Sequence, residues 1–291
     1  MANMRYCGRF APSPTGRLHF GSLVAALGSW LCARHAGGRW LVRIEDIDPP
    51  REVPGAARAI LEALPAFGLH PDAPPLFQSG RQAAYASAFE QLRARDLVFP
   101  CWCSRADLAA AGGMHRDGRC VAPPAPSRAP AWRVRVPAVT IAFVDGLQGP
   151  QDCELRETAG DFVVRRVEGY YAYQLACVVD DAFQGITEVV RGCDLLDSTP
   201  RQIWLQRCLG LPTPRYLHLP LALDAQGRKL SKSAHAVPVD PADPMPALRR
   251  ALAFLGQRVD ARAATPAALL QAALERFDPA SFPHCKAQSA A

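Results

Sequence analysis

The sequence predicts an α/β protein built on a parallel sheet, and three observations predict it. Short apolar runs at Tyr6–Phe10 and Arg39–Ile44 flank an amphipathic run at Phe20–Ala36, the strand–helix–strand order of a parallel unit. The second run ends in Glu45-Asp46-Ile47-Asp48, acids at the carboxyl end of a strand, where open parallel sheets hold their ligands. The turn between the first strand and the first helix carries Pro12, Pro14 and Gly16, so regular structure breaks sharply just before a helix N-terminus.

Composition sets the class. The chain has 291 residues, 49% hydrophobic and 21% charged, which suits a globular protein with a real core. No apolar run approaches the ~20 residues a membrane helix needs, so no membrane partner is expected. The start, MANMRYCGRF, has no apolar segment of the secretory kind, so a cytoplasmic location and reduced thiols are expected for the 10 cysteines. A net charge of +6 is compatible with a nucleic-acid partner. Arginine supplies nearly all of it. Of only three lysines, Lys229, Lys232 and Lys286, two fall in one five-residue motif, which points to a chemical need for a compact ammonium there.

Taken in order, the first strand leads through Arg9–Ser22 (RFAPSPTGRLHFGS) into the first helix, which Gly37-Gly38 stop. Free N–H groups and the helix dipole at this corner suit an anion such as a phosphate chain. Arg39–Ile44 is the second strand; its acidic end also reads as a solvated turn. Residues 54–67 form a helix with Pro54 at its start and Pro65 closing it. Arg81–Arg95 is an amphipathic helix. Cys101, Cys103, His115 and Cys120 offer three sulfurs and an imidazole, a set that holds zinc; the C-x-C spacing is also met in free thiols beside a surface histidine. Val121–Ala131 is a Pro/Ala connector. Trp132–Val136, Ile141–Asp145 and Gly160–Arg166 read as short strands of a small insertion. Tyr170–Ala176 opens a second half of the sheet, and CVVDDAFQGITEVVRG reads as two strand-like pieces around Asp180-Asp181. Ser198 caps a helix running to Leu209. Lys229-Leu230-Ser231-Lys232-Ser233 follows a turn at Asp224–Gly227. Helices near Pro246–Leu255 and Pro266–Phe277 and a frayed tail complete the chain.

Several of these strings resemble the class I aminoacyl-tRNA synthetases. His19-Phe20-Gly21-Ser22 is similar to the first signature of that class, and Pro12-Ser13-Pro14-Thr15-Gly16 before it narrows the likeness to the glutamate and glutamine enzymes. Arg43-Ile44-Glu45-Asp46-Ile47-Asp48 with Arg51, Gln78-Ser79 with Arg81 and Tyr85, Tyr173 through Asp181, and Val190-Arg191-Gly192 follow the same pattern. Lys229–Ser233 is similar to the second signature, with leucine for methionine.

The resemblance implies a Rossmann-type nucleotide-binding sheet. Residues 1–100 and 171–240 form its two halves, 101–170 a small zinc-containing insertion of the kind that packs on a tRNA acceptor end, and 241–291 a short helical segment. It implies a ligase that activates L-glutamate with ATP and Mg²⁺, without tRNA, to glutamyl-adenylate. Glutamate would lie against Arg9, Phe10, Ala11, Pro12, Ser13, Glu45, Tyr173 and Arg191, with Glu45 on its amino group and arginine on its carboxylates. ATP would meet Pro12, His19, Gly21, Ser22, Lys229, Ser231 and Lys232. His19 and Lys232 would be catalytic, Lys232 following charge onto the leaving pyrophosphate.

The stretch after Ser233 is too short for an anticodon-binding domain, and with Gly112-Gly113 and Cys120 this resembles the branch of glutamyl-Q tRNA(Asp) synthetases. That branch holds one structural zinc with two cysteines, a tyrosine and a third cysteine. Here His115 stands in the tyrosine slot with one residue inserted before Cys120, so the resemblance implies Cys101, Cys103 and Cys120 and leaves the fourth ligand to His115 by chemistry; Arg116 cannot ligate because it stays protonated. The implied acceptor is tRNA(Asp) carrying queuosine, whose cyclopentene cis-diol mimics a ribose diol, and the implied state is a monomer. Two alternatives stand beside this: a truncated glutamyl-tRNA synthetase charging a tRNA 3′ end, and a non-catalytic paralogue that binds tRNA or amino acid.

Overall fold

The structure is a computed structural model that describes residues 5–125, 127–224, 226–228, 230, 238–259 and 261–289. The first half contains β1 (Cys7–Phe10), α1 (Phe20–His35), β2 (Arg39–Ile44), α2 (Ala56–Ala66), β3 (Leu76–Phe77), α3 (Gln82–Ala94), β4 (Val98–Cys101) and α4 (Arg105–Ala110). Next come β5 (Ala131–Val134), β6 (Thr140–Asp145), β7 (Gly149–Glu154), α5 (Leu155–Thr158), β8 (Val163–Arg165) and α6 (Tyr173–Phe183). The chain continues with β9 (Glu188–Gly192), α7 (Thr199–Leu209), β10 (Arg215–Leu219), β11 (Leu221–Leu223), α8 (Pro244–Phe254), α9 (Pro266–Glu275) and β12 (Ala287–Ser289).

The main sheet runs β3-β2-β1-β9-β10-β6-β7, parallel except for β7. From β1 the chain first builds outward through β2 and β3. It later returns to the other side of β1 with β9 and β10. That reversal is the point at which open α/β sheets leave a crevice.

Alternation along the strands sorts the two faces of this sheet. Phe10, Val42, Ile44, Val190 and Leu219 enter one apolar core with α1, α2, α8 and α9. The opposite face carries Cys7, Leu41, Val189 and Tyr216 into a second core with α3, α6 and α7. Leu23, Leu27 and Leu31 of α1 are fully buried, and each such side chain contributes about 1.5–3 kcal/mol relative to exposure. On the second face, nearer the strand ends, the same alternation places Arg9, Arg43, Arg191 and His218, one from each of β1, β2, β9 and β10. All four are buried.

Several expectations are corrected. The first piece around Asp180-Asp181 is the helix α6, not a strand. Its β-branched Val178-Val179 suggested extended chain, but helical spacing puts Tyr173, Cys177 and Asp181 on one side, toward the strand-end arginines, and Ala176 and Asp180 on the side facing α3. β7 was not foreseen; with β6 it lies within 101–170 yet extends the main sheet, while β4, β5 and β8 form a separate antiparallel sheet. Ser198 makes no side-chain cap to α7; its hydroxyl accepts from Gln174 instead, after a 3-10 stretch at Cys193–Ser198. As far as Ser289 the tail is not frayed, because β12 pairs in parallel with β11 and Gln288 donates to the Phe254 carbonyl. Among the described residues no helix is long and apolar enough to cross a membrane.

Candidate active site

The corner between β1 and α1 is pinned from several directions. Pro12 O accepts from Glu45 N–H at 2.9 Å and Pro14 O from Val53 N–H at 2.9 Å, so the proline turn lies against the acidic end of β2. His19 is the N-cap of α1. Its Nδ1 accepts from Ser22 N–H at 3.2 Å, and its Nε2 lies 2.9 Å from the Ser22 hydroxyl. Gly21 sits in that first turn, where an added Cβ would reach the His19 ring at 3.4 Å. Phe10 points into the apolar core, so only its backbone faces the strand ends.

The second lysine motif falls where little can be described. Lys229, Ser231 and Lys232 lie outside the described residues. The flanks are placed. Leu230 packs against the α1 core, Pro238 bridges to His19, and Val239 N–H donates to Leu18 O at 2.9 Å. The flank at Pro238–Val239 therefore returns to the corner that carries the first motif.

Behind the corner lies a charged cluster. The Arg9 guanidinium straddles Asp181, with Nε 3.2 Å from Oδ1 and Nη2 3.4 Å from Oδ2. Arg43 Nη1 donates to the same Asp181 Oδ1 at 2.7 Å and to Gln184 Oε1 at 2.9 Å, and Nη2 to Glu45 Oε1 at 3.1 Å. Two guanidiniums hold the Asp181 carboxyl far below the usual range against the opposing pull of burial. Burial dominates at Glu45 and raises its pKa, although Arg43 and Arg9 oppose it. Arg43 and Asp181 were not expected from the sequence as site residues.

Tyr173 joins this cluster to a second one. Its hydroxyl accepts from Arg191 Nη1 at 3.3 Å, and Arg191 also reaches Gln202, Thr199 and the Leu195 carbonyl. Arg191 Nε donates to His218 Nε2 at 3.0 Å, and His218 Nδ1 lies 2.6 Å from Asp145 Oδ2. In front of both clusters opens a cleft of about 230 Å³ lined by Ser13, Thr15, Glu45, Arg51, Arg166 and Tyr173. At its rim Asp48 is paired with Arg166 at 2.9 Å and with Arg51. Of the expected residues, Ser13, Glu45 and Tyr173 line this cleft, while Arg9 and Arg191 lie buried behind it, Arg9 on Asp181 and Arg191 on the Tyr173 hydroxyl. Gln78, Arg81 and Tyr85 do not line it. All three donate to the buried Asp180, at 2.9, 3.0 and 2.6 Å, and fasten α3 to α6.

The small antiparallel sheet carries a metal-type cluster. The ligand atoms of Cys101, Cys103, His115 and Cys120 all lie within 4.8 Å of one another. His115 is buried, its Nδ1 is 3.0 Å from Asp161 Oδ2, and its Nε2 has no hydrogen-bond partner. An orphaned imidazole nitrogen among three sulfurs fits zinc in both count and chemistry. Arg133 Nε stands 3.2 Å from Cys101 Sγ and its Nη1 donates to Asp161 O at 2.8 Å. Gly160 makes room for this loop. Its φ is +58°, and a Cβ there would sit 2.3 Å from the His115 carbonyl. Gly160→Ala is therefore expected to lower the melting temperature and loosen metal binding together, read by calorimetry and metal analysis.

Similarity to known proteins identifies the family. Residues 7–258 match the family model for tRNA synthetases class I (E and Q), catalytic domain. The glutamyl-Q tRNA(Asp) synthetase of Xanthomonas axonopodis pv. citri is 59% identical over 97% of this chain and 94% of its own length. The chain belongs to the glutamyl-Q tRNA(Asp) synthetase family. The protein of that name from Burkholderia mallei is 55% identical over 92% of this chain and 94% of its own. Among solved structures, the glutamate tRNA ligase of Elizabethkingia meningosepticum, in complex with its amino acid, superposes with a TM-score of 0.81 at 26% identity. It covers 99% of this chain, which spans 67% of that one.

Proposed function

We infer that the chain is a ligase that activates L-glutamate with ATP to glutamyl-adenylate without tRNA and transfers the glutamate to queuosine at the wobble position of tRNA(Asp). One observation carries the activation step: the buried carboxylate Glu45 and Tyr173 line one cleft, and two buried guanidiniums, Arg9 and Arg191, stand behind it on Asp181 and Tyr173. Glutamate has two carboxylates and an ammonium, the complement of that set. A neutral crevice could not repay the desolvation of the two carboxylates.

Each residue then has a task. Glu45 holds the ammonium, Arg9 and Arg191 the carboxylates, and Tyr173 supplies a hydroxyl beside Arg191. The backbone of Phe10 and Ala11, with Pro12 and Ser13, forms the near wall. ATP lies over Pro12, His19, Gly21 and Ser22 at the N-terminus of α1, whose dipole and N–H groups favour its phosphates. Lys229, Ser231 and Lys232 of the second motif meet the ATP phosphates, Lys232 neutralising the charge that develops on the leaving pyrophosphate. Mg²⁺ accompanies ATP and screens the phosphates. One structural zinc is held by Cys101, Cys103, His115 and Cys120. The protein works as a cytoplasmic monomer.

The acceptor is tested directly. Radiolabelled glutamate is offered with tRNA(Asp) carrying queuosine, with the same tRNA lacking it, and with tRNA(Glu). Label is expected only on the first. Label on tRNA(Glu) identifies a 3′-end synthetase, and absence of glutamate-dependent pyrophosphate exchange identifies a non-catalytic binder.

A further inference from the structure

Arg191 uses every hydrogen it has. Its Nε–Nη2 edge donates to His218 Nε2 at 3.0 Å, Thr199 Oγ1 at 2.8 Å and Leu195 O at 3.2 Å. Its Nη1 donates to Gln202 Oε1 at 2.9 Å and, in its longest bond, to the Tyr173 hydroxyl at 3.3 Å. A substrate carboxylate reaches this guanidinium only by replacing one of those partners. Tyr173 is the one that lines the open cleft. The other four partners lie on α7, on β10 or in the 3-10 stretch before α7, away from the cleft lining.

The partner at Nε is fixed in turn. Arg191 Nε carries a single hydrogen and can only donate, so His218 Nε2 must present a lone pair. His218 Nδ1 therefore carries the ring proton and donates a hydrogen bond to Asp145 Oδ2 at 2.6 Å. Asp145 is itself anchored, because its Oδ1 accepts from three backbone N–H groups, those of Leu147 at 3.0 Å, Gln148 at 2.8 Å and His218 at 3.1 Å. The side chains of His218 and Asp145 are 0% exposed, so bulk solvent does not reach the pair.

We propose that Asp145 and His218 are positioning residues that lock Arg191 by its Nε–Nη2 edge, leaving the Nη1 edge beside Tyr173 as the one that opens to a carboxylate of the substrate. The proposal rests on the reading of Arg191 as a glutamate ligand. It requires His218 to stay neutral while it binds.

The surroundings enforce that neutrality. The charged groups around the ring are Arg191 on β9, Arg9 on β1 and Asp145 on β6, and α7 and α6 add the uncharged Thr199, Gln202 and Tyr173. Burial first, and then the two arginines, lower the His218 pKa against the upward pull of Asp145. A proton added at Nε2 breaks the bond to Arg191 and sets two cations in contact. Glutamate affinity is therefore lost on the acid side, below the ordinary imidazole range near pH ~6.5.

Glutamate-dependent pyrophosphate exchange tests this, with KM for glutamate and for ATP measured between about pH 5 and about pH 8. His218→Leu removes the acceptor. Its KM for glutamate is expected to rise about tenfold or more while the KM for ATP stays within about twofold. His218→Gln keeps an acceptor oxygen and cannot titrate; it is expected to recover most of the glutamate affinity and to remove the His218 step from the acid limb of the wild-type profile, leaving the step that Glu45 sets. An unchanged glutamate KM in folded His218→Leu, or a wild-type acid limb in His218→Gln, overturns the proposal. Arg191→Gln separates the two readings. If it leaves the glutamate KM unchanged, the carboxylate role of Arg191 itself fails; if it raises the KM while His218→Leu does not, only the positioning role fails. Should His218→Leu not fold, the wild-type and His218→Gln profiles decide alone.

Discussion

Asp181→Ala is expected to cost about 3–5 kcal/mol of stability and to abolish glutamate-dependent exchange. The reason is arithmetic at one buried spot. Asp181 and Glu45 are the two carboxylates set against Arg9 and Arg43, and the side chains of all four are 6% exposed or less. Without Asp181, two guanidiniums face each other with only Glu45 between them. Glu45 cannot serve both and still take a substrate ammonium. Asp181→Asn keeps the volume and loses the charge, so it should fall close to alanine in stability. Urea denaturation reads the first effect and pyrophosphate exchange the second. A change below about 1 kcal/mol in both variants would show that the cluster is solvated in solution.

The same residue sets an acid limit. The folded pKa of Asp181 lies far below its unfolded value of about 3.9. Between the two values the unfolded chain binds more protons, so stability rises with pH there. The contribution is fully present above the unfolded value and is lost as pH falls toward the folded one. In Asp181→Asn this part of the acid slope should vanish.

The readable and unreadable parts of this site differ in one physical respect, the distance along the chain over which the signal is written. The turn at Pro12–Gly16, the strand at Arg39–Ile44 and the helix over Gln82–Ala94 are local patterns, and breakers and periodicity place them closely. Arg9, Glu45, Tyr173 and Arg191 were reached as candidates through the family strings that surround them. Arg43 was hidden as a charge inside an apolar strand, where alternation allows it only if something buried meets it. That something, Asp181, sits 138 residues away on a helix that its own β-branched neighbours disguised as a strand. Helical spacing of Tyr173, Cys177 and Asp181 was the available clue. The pairing of His218 with Asp145, 73 residues apart, and of β12 with β11 follows from sheet topology, which local periodicity does not encode.

The cluster of Cys101, Cys103, His115 and Cys120 yields the other large effect. The protein is expected to bind about one zinc per chain, and Cys101→Ser to lower that stoichiometry. Asp161→Asn should weaken zinc affinity about 10–100-fold while leaving all four ligands in place. Asp161 Oδ2 meets both His115 Nδ1 at 3.0 Å and Gly118 N–H at 2.8 Å, and Oδ1 accepts from Val136 N–H at 2.8 Å. So held, it accepts a hydrogen bond from Nδ1–H, which fixes the ring proton there and leaves Nε2 bare for the metal. An asparagine amide can donate to Nδ1 instead, which moves the proton to Nε2 and blocks coordination. Charge points the same way. Three thiolates and a neutral imidazole around a dication leave one net negative charge, and Arg133 stands against the Cys101 sulfur to meet it. Competition with a chromogenic chelator gives the affinities, and the visible spectrum of the cobalt-substituted protein reports whether three sulfurs and one nitrogen remain bound. Stripping the metal should unfold the β4–β5–β8 sheet first, since its strands hold Cys101 and, through Arg133, the Asp161 carbonyl. A metal-free protein whose small sheet keeps its native amide protection would sink the assignment, whatever its activity.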